Sequence, residues 1–291
     1  MGKPKFIASK DLKAYLTASK RTTRLLGATE RHVLSQPFEE RSQDHIHPSD
    51  IIKPEWCAKA QYHSLLLNHV ETRDRVPLRL RRIFETGTDA HTRWQALFNE
   101  QDKLWGKWEC SDCLEYFYAT SPHACIKCVS LNINYREVPL RSDKHMIAGH
   151  SDGWIKDDLP DTMIEIKTIG EGTMRLEVPM LLMQADNNLT KAWNNIRSPF
   201  PTHLRQGQMY LHLAHLMVEV DLLESAPGSI TFIYDFKASQ DYKEFEVEYN
   251  PEFVEDIFKK ASDVVWAVKN EREPLCNIDS VKGCKRCEPH N

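Results

Sequence analysis

The sequence predicts a protein of the α/β class, and three observations carry that expectation. Residues 145–156 and 162–168 read as two strands joined by the turn-forming run Asp157-Asp158-Leu159-Pro160-Asp161. Residues 229–236 and 243–249 read as two more, with Phe245, Val247 and Tyr249 alternating with acids in the second. Segments 78–100 and 251–270 read as helices before and after these strands.

Composition bounds the class further. With 291 residues, 41% of them hydrophobic, the chain can bury one good core and a small appended module. No run approaches the roughly 18–20 apolar residues of a membrane helix, and Met1-Gly2-Lys3-Pro4-Lys5 lacks the apolar core of a signal peptide. A cytoplasmic setting without membrane partners is the expectation. The formal net charge of −4 argues against nonspecific wrapping of nucleic acid by a basic surface. It leaves open an enzyme acting on nucleic acid, because acidic metal ligands lower the sum. Lys20-Arg21-Thr22-Thr23-Arg24 and Leu78-Arg79-Leu80-Arg81-Arg82 carry cation to meet a phosphate backbone, or else are solvated helix faces.

Residues 1–48 form a polar N-terminal extension, with helix expected over 10–26 and a connector at 43–48. At Pro48-Ser49-Asp50 a helix signal begins, with Ser49 or Asp50 as its cap. The lone Cys57 follows; by itself it reads as a buried core thiol. In the 78–100 helix, Gly87, His91 and Gln95 recur every four positions and share a face.

Eight cysteines without a signal peptide point to metal rather than disulfides, and they divide into two sets of four. Cys110-x-x-Cys113 and Cys125-x-x-Cys128 are paired knuckles, the pattern of a structural zinc site. A zinc ribbon is therefore expected at 106–130, with the metal supplying its folding energy and His123 a bystander. Residues 134–141 read as a strand containing Glu137, which in isolation is a surface glutamate.

The hairpin 145–168 carries the chemistry. Glu165 and Lys167 point to one face of their strand, Ile164 and Ile166 to the other, and the turn can bring Asp152 beside Glu165. Carboxylates are hard ligands suited to Mg²⁺ or Mn²⁺. A lysine beside them can orient an attacking water and offset charge on a phosphate. The competing reading is an exposed hairpin with a cross-strand charge pair. Beyond it, 170–200 is a substrate flap or a connector packed on the body. Thr202 is expected to cap a helix presenting Gln206 and Tyr210 on one face. Asn250-Pro251 begins the last helix, whose stripe Val254, Ile257, Phe258, Ala261, Val265 and Val268 reads as core.

Asp152 and Glu165-Ile166-Lys167 resemble the first acid and the E-x-K of the PD-(D/E)XK nuclease superfamily. The literal Pro160-Asp161 sits in the connecting turn, too close to Glu165 to be that first acid. Gly87-x-x-x-His91, Glu137 and Gln206-x-x-x-Tyr210 fall in the order found in its RecB-like exonucleases, including their CRISPR-associated branch. Cys57, Cys276, Cys284 and Cys287 resemble the iron–sulfur staple of that branch, although the close pair Cys284-x-x-Cys287 stands last rather than first.

The resemblance covers residues 49–287 and implies a mixed central sheet flanked by helices, spanning 49–291 and interrupted by the ribbon. It implies metal-dependent hydrolysis of DNA, single-stranded or end-containing duplex, in end processing, recombination or repair. Asp152 and Glu165 would hold Mg²⁺ or Mn²⁺ with His91 assisting and Glu137 a possible addition. Lys167 would position water, and Gln206 and Tyr210 would steady the strand. The staple cysteines would hold a [4Fe–4S] cluster, with zinc as the alternative. A DNA-end-binding or adaptor module without nuclease activity is the competing function.

Overall fold

A computed structural model of the chain describes residues 24–36, 42–67, 76–278, 284, 286 and 287. Residues 10–23 of the expected first helix, and with them 20–23 of the first basic run, lie outside the described residues. The chain divides into two compact units, Met1–Glu40 with Thr72–Ile83, and Arg41–Glu71 with Phe84–Asn291. In the first, helix α1 (Arg24–Ser35) ends against the Arg81 guanidinium, which donates to the carbonyls of Val33 and Gln36 at 2.8 and 3.0 Å. One arginine of the second basic run thus satisfies acceptors that a helix end leaves open.

The second unit is α/β. Helices α2 (Pro48–Ile51), α3 (Ala58–Leu67) and α4 (Leu78–Asn99) lead into it. Strands β1 (Leu104–Cys110), β2 (Tyr116–Thr120), β3 (Ile133–Tyr135), β4 (Val138–Ser142), β5 (Ile147–Ser151), β6 (Gly153–Ile155) and β7 (Thr162–Ile169) follow. Next come α5 (Glu171–Glu177), α6 (Pro179–Gln184), α7 (Leu189–Asn194) and α8 (Pro201–Glu219). The chain closes with β8 (Ser229–Phe236), β9 (Asp241–Glu248) and α9 (Glu255–Lys269). None of the helices is long and apolar enough to cross a membrane among the described residues.

A seven-stranded sheet runs β2-β1-β6-β7-β8-β9, with β3 beside β1; β4 and β5 form a separate pair. Only β7 and β8 are parallel, so the central sheet is mixed. Those two strands are largely buried on both faces, as a covered central pair is. Ile164, Ile166 and Ile233 bury against Trp94 and Phe98 of α4. Met163, Phe232 and Tyr234 point the other way, into the larger core shared with Met209 and Leu213 of α8 and with α9. Strand β9 alternates between exposed and half-buried residues, as an edge strand does.

Several boundaries differ from the sequence reading, each for a local reason. The strand expected at 145–156 is broken at Asp152: β5 belongs to the small sheet and β6 to the large one. The strand expected at 134–141 breaks likewise at Glu137, which has a left-handed φ of 57°. The ribbon strands are part of the main sheet, because Trp108, Cys110, Phe117 and Cys125 bury beside Ile164 and Ile166. Within the 43–48 connector, Ile46 is fully buried and bridges Ile147. The 170–200 segment is packed on the body, with Trp193 stacked on Phe236 at 4.6 Å and 7°. Helix α8 starts at Pro201, and Thr202 donates to Glu177 instead of capping. Asn250 caps a short 3₁₀ turn, Pro251–Phe253, ahead of α9.

Gly207 lets α8 lie on the sheet: a Cβ there would come within 2.5 Å of Phe232 Cζ and 2.9 Å of Ile230 Cδ1. Gly207→Ala is expected to lower stability by about 1–3 kcal/mol through overpacking, read as a shift of the denaturant midpoint. An unchanged midpoint would show that α8 is free to lift from the sheet.

Candidate active site

Asp152 stands where the chain leaves the small sheet for the large one, and its bonds fix it there. Oδ2 accepts the Ile166 amide of β7 at 2.5 Å. Its own carbonyl accepts Gln95 Nε2 at 2.9 Å and the Tyr135 hydroxyl at 3.1 Å. Oδ1 remains to face His91 Nδ1 at 3.0 Å. The next residue must be glycine: Gly153 has φ +155°, and a Cβ would strike Leu104 Cδ1 at 2.6 Å and Tyr135 Oη at 2.7 Å. Glu137 occupies the matching break between β3 and β4, and the pairing of Val138 with Ser151 sets it beside Asp152. Donor atoms of His91, Glu137 and Asp152 all lie within 4.8 Å of one another.

Glu165 and Lys167 project from β7 towards α8. Glu165 is 3% exposed. Its Oε1 lies 2.6 Å from Lys167 Nζ, and its buried Oε2 has no hydrogen-bond partner among the described residues. Lys167 Nζ donates to Gln206 Oε1 at 3.0 Å, and Gln206 Nε2 donates to the Tyr210 hydroxyl at 2.8 Å. The i,i+4 spacing of α8 thus continues a polar chain begun by the i,i+2 spacing of β7. Asp161 is held in the turn by Lys156 at 2.9 Å.

Burial shapes the titration of this cluster. It pushes the Glu165 carboxyl up to about 7, Lys167 opposing and the Asp152 charge adding to it. Burial, then the charge of Asp152, lifts Glu137 to about 7 as well. For His91, burial alone would lower the pKa, but the hydrogen bond and charge of Asp152 outweigh it and hold the ring above its ordinary value.

Two contributors escaped the sequence reading. Tyr135, read only as a strand residue, supplies the hydroxyl on the Asp152 carbonyl. His203 lies three residues before Gln206 on α8 and bonds the Tyr234 hydroxyl at 2.7 Å. Burial and the nearby Lys167 charge hold His203 down to about 3, so its ring is neutral. The i,i+3 spacing to Gln206 was the available signal.

The donors suit a hard divalent ion: oxygens from Asp152 and Glu137, one imidazole, and the unpartnered Glu165 Oε2 nearby. The cysteines form two further clusters. Cys110 Sγ lies 3.5 Å from Cys128 Sγ and Cys113 Sγ 3.6 Å from Cys125 Sγ. Four thiolates about 2.3 Å from one zinc stand about 3.8 Å apart, so this quartet fits that ion. His123 is exposed and is not among its ligand atoms. Cys57, Cys276, Cys284 and Cys287 also converge, again with all four sulfurs within 4.8 Å.

No protein-family model matches this chain, and no curated protein does. Among solved structures it is similar to an alkaline exonuclease (LHK-Exo) from Laribacter hongkongensis, at TM-score 0.44 and 11% identity, over 79% of this chain and 90% of that one. The structure of LHK-Exo in complex with dAMP matches at TM-score 0.41 and 11% identity over the same shares. The crystal structure of SSO0001 matches at TM-score 0.36 and 16% identity, over 83% of this chain and 84% of that one.

A metal ligand must give up its proton, so an ion held by Glu137 and Glu165 would compete with protonation. Below their pKa of about 7 the proton wins; above it both carboxylates are charged and free to bind. Calorimetric affinity for Mn²⁺ should therefore rise steeply between about pH 6 and about pH 8 and then level off. A flat profile across that window would exclude both carboxylates from the ion's ligands.

Proposed function

We propose that this chain is a metal-dependent DNA nuclease of the PD-(D/E)XK superfamily, of the RecB-like exonuclease kind. The observation that carries the reading is the convergence of His91, Glu137 and Asp152 donor atoms within 4.8 Å, beside a buried Glu165 oxygen without a partner. A buried acceptor left open costs about 1–3 kcal/mol, and a bound cation accounts for it. His91, Asp152 and Glu165 would hold Mg²⁺ or Mn²⁺, with Glu137 adding a fourth donor. An ion held there would supply Lewis-acid polarisation of a phosphate.

The chain's own groups do the positioning. Lys167 is held by Glu165 on one side and Gln206 on the other, which leaves its remaining donor to orient the attacking water or neutralise a phosphate oxygen. Tyr210 fixes the Gln206 amide, so the lysine has one resting position. Asp152 keeps one oxygen on the Ile166 amide, which prevents the carboxylate from rotating away. Single-stranded DNA or the end of a duplex is the substrate proposed. A binding module without activity would have no use for an acid and lysine held this closely in a buried site.

Digestion of labelled single- and double-stranded DNA tests the proposal. Cleavage should require Mg²⁺ or Mn²⁺ and stop on chelation. Asp152→Ala, Glu165→Ala and Lys167→Ala should each lower the rate on the order of 10²- to 10⁴-fold while leaving the fold intact. A purified, folded variant that cuts at the wild-type rate would remove its residue from the mechanism. Wild-type protein that binds DNA but cuts none with either ion would leave the adaptor reading.

A further inference from the structure

From the tail cysteines we infer that Cys57, Cys276, Cys284 and Cys287 hold a single zinc ion in a four-thiolate site rather than an iron–sulfur cluster. Distance is the first ground. All four sulfurs lie within 4.8 Å of one another, with Cys57 Sγ and Cys276 Sγ 3.7 Å apart. Four thiolates on one tetrahedral ion stand about 3.8 Å apart, given the roughly 2.3 Å zinc–sulfur bond. Thiolates bound to the separate irons of a [4Fe–4S] cube stand about 6 Å apart, because the cluster itself lies between them. A two-iron cluster also separates its two thiolate pairs by more than the spacing seen here. The quartet has the dimensions of one ion.

The backbone around the sulfurs is the second ground. In the ribbon, the amides of Lys127 and Cys128, two and three residues on, face the Cys125 thiol, with Lys127 N at 3.4 Å. At Cys284 the Arg286 amide, two residues on, likewise faces the thiol, while the Cys287 amide donates to the Cys284 carbonyl at 3.2 Å. Each is a C-x-x-C turn that directs backbone donors at the first sulfur and thereby offsets thiolate charge. The Ala60 amide serves Cys57 similarly from the start of α3. The tail turn thus shares with the ribbon a backbone donor two residues beyond its first cysteine, although it closes on the Cys284 carbonyl one residue earlier than the ribbon turn closes on that of Cys125.

The protein also braces this quartet from outside. Asn277 accepts the Ala58 amide at 2.7 Å and donates to the Trp56 carbonyl at 3.0 Å, so it straddles Cys57. Glu273 bridges Lys59 and His63 of α3, both at 2.9 Å. These contacts hold the tail against the chain at Cys57.

The test uses the full chain, isolated without oxygen from cells supplied with both iron and zinc. Elemental analysis should give about two zinc ions per chain, with neither iron nor acid-labile sulfide and no visible absorption. Cys57→Ser and Cys113→Ser should each lower zinc from about two to about one per chain, because they open different quartets. Should Cys57→Ser fail to fold, wild-type protein titrated with a thiol-blocking mercurial decides instead: release of two zinc ions upholds the inference. Iron at the tail site, whether about one or about four per chain, would overturn it. So would zinc that stays at two in Cys57→Ser, or a mercurial titration that releases only one. None of these readouts depends on whether the protein cuts DNA.

Discussion

The bond from the Ile166 amide to the Asp152 carboxylate is the contact on which the site and the sheet both depend. It lets one residue end the small sheet, begin the large one and still present an oxygen to His91. Gly153 extends the arrangement, because its backbone angle and the crowding by Leu104 and Tyr135 admit no side chain. A sheet that ran unbroken through 152 would point this residue into ordinary pairing and leave no opening for an ion.

The balance of charge around that opening explains much of the remaining chemistry. Three carboxylates, Glu137, Asp152 and Glu165, share the space with one lysine and one histidine. Burying an unmatched charge costs several kcal/mol even after relaxation. Without an ion the cluster reduces its excess of negative charge by holding protons, which is the physical content of two carboxyl groups lifted to about 7. A divalent cation does the same by neutralisation and displaces those protons. Lys167 is a separate device: as a fixed cation between Glu165 and Gln206 it stays where a phosphate would need it.

Much of this was legible in the sequence because it rests on short-range periodicity. The i,i+2 spacing of Glu165 and Lys167, the i,i+4 spacings on α4 and α8, and the C-x-x-C knuckles each fix a face or a turn without reference to the rest of the chain. The hairpin turn 157–161 was enough to bring Asp152 to β7. What remained hidden was long-range. The breaks at Glu137 and Asp152 arise because β1 pairs with both β3 and β6, a fact about sheet order that no local pattern encodes. The burial of Ile46 and the packing of α5–α7 depend on partners about 100 and 40 residues away, respectively, as register and burial usually do. Tyr135 was invisible for a simpler reason: a tyrosine in a strand is unremarkable until the group its hydroxyl reaches is known.

The two cysteine quartets solve different physical problems. In the ribbon, two knuckles lie close in sequence, so a shared ion would close short loops and restrain the unfolded chain only modestly. It would also complete a small second core in which Cys110 and Cys125 bury with Trp108 and Phe117. At the tail, Cys57 and Cys276 are 219 residues apart. Closing a loop of that length removes unfolded-chain entropy worth on the order of 5 kcal/mol in the chain-entropy model, comparable to the net stability of many domains. That loop encloses every residue of the acid–lysine cluster, from His91 to Tyr210. Burying these carboxylates costs stability at the centre of the unit, and an ion shared by the tail quartet would restore it from the periphery. Neither set shares a residue with the other, so loss of a tail cysteine should reduce activity only in proportion to the protein that remains folded.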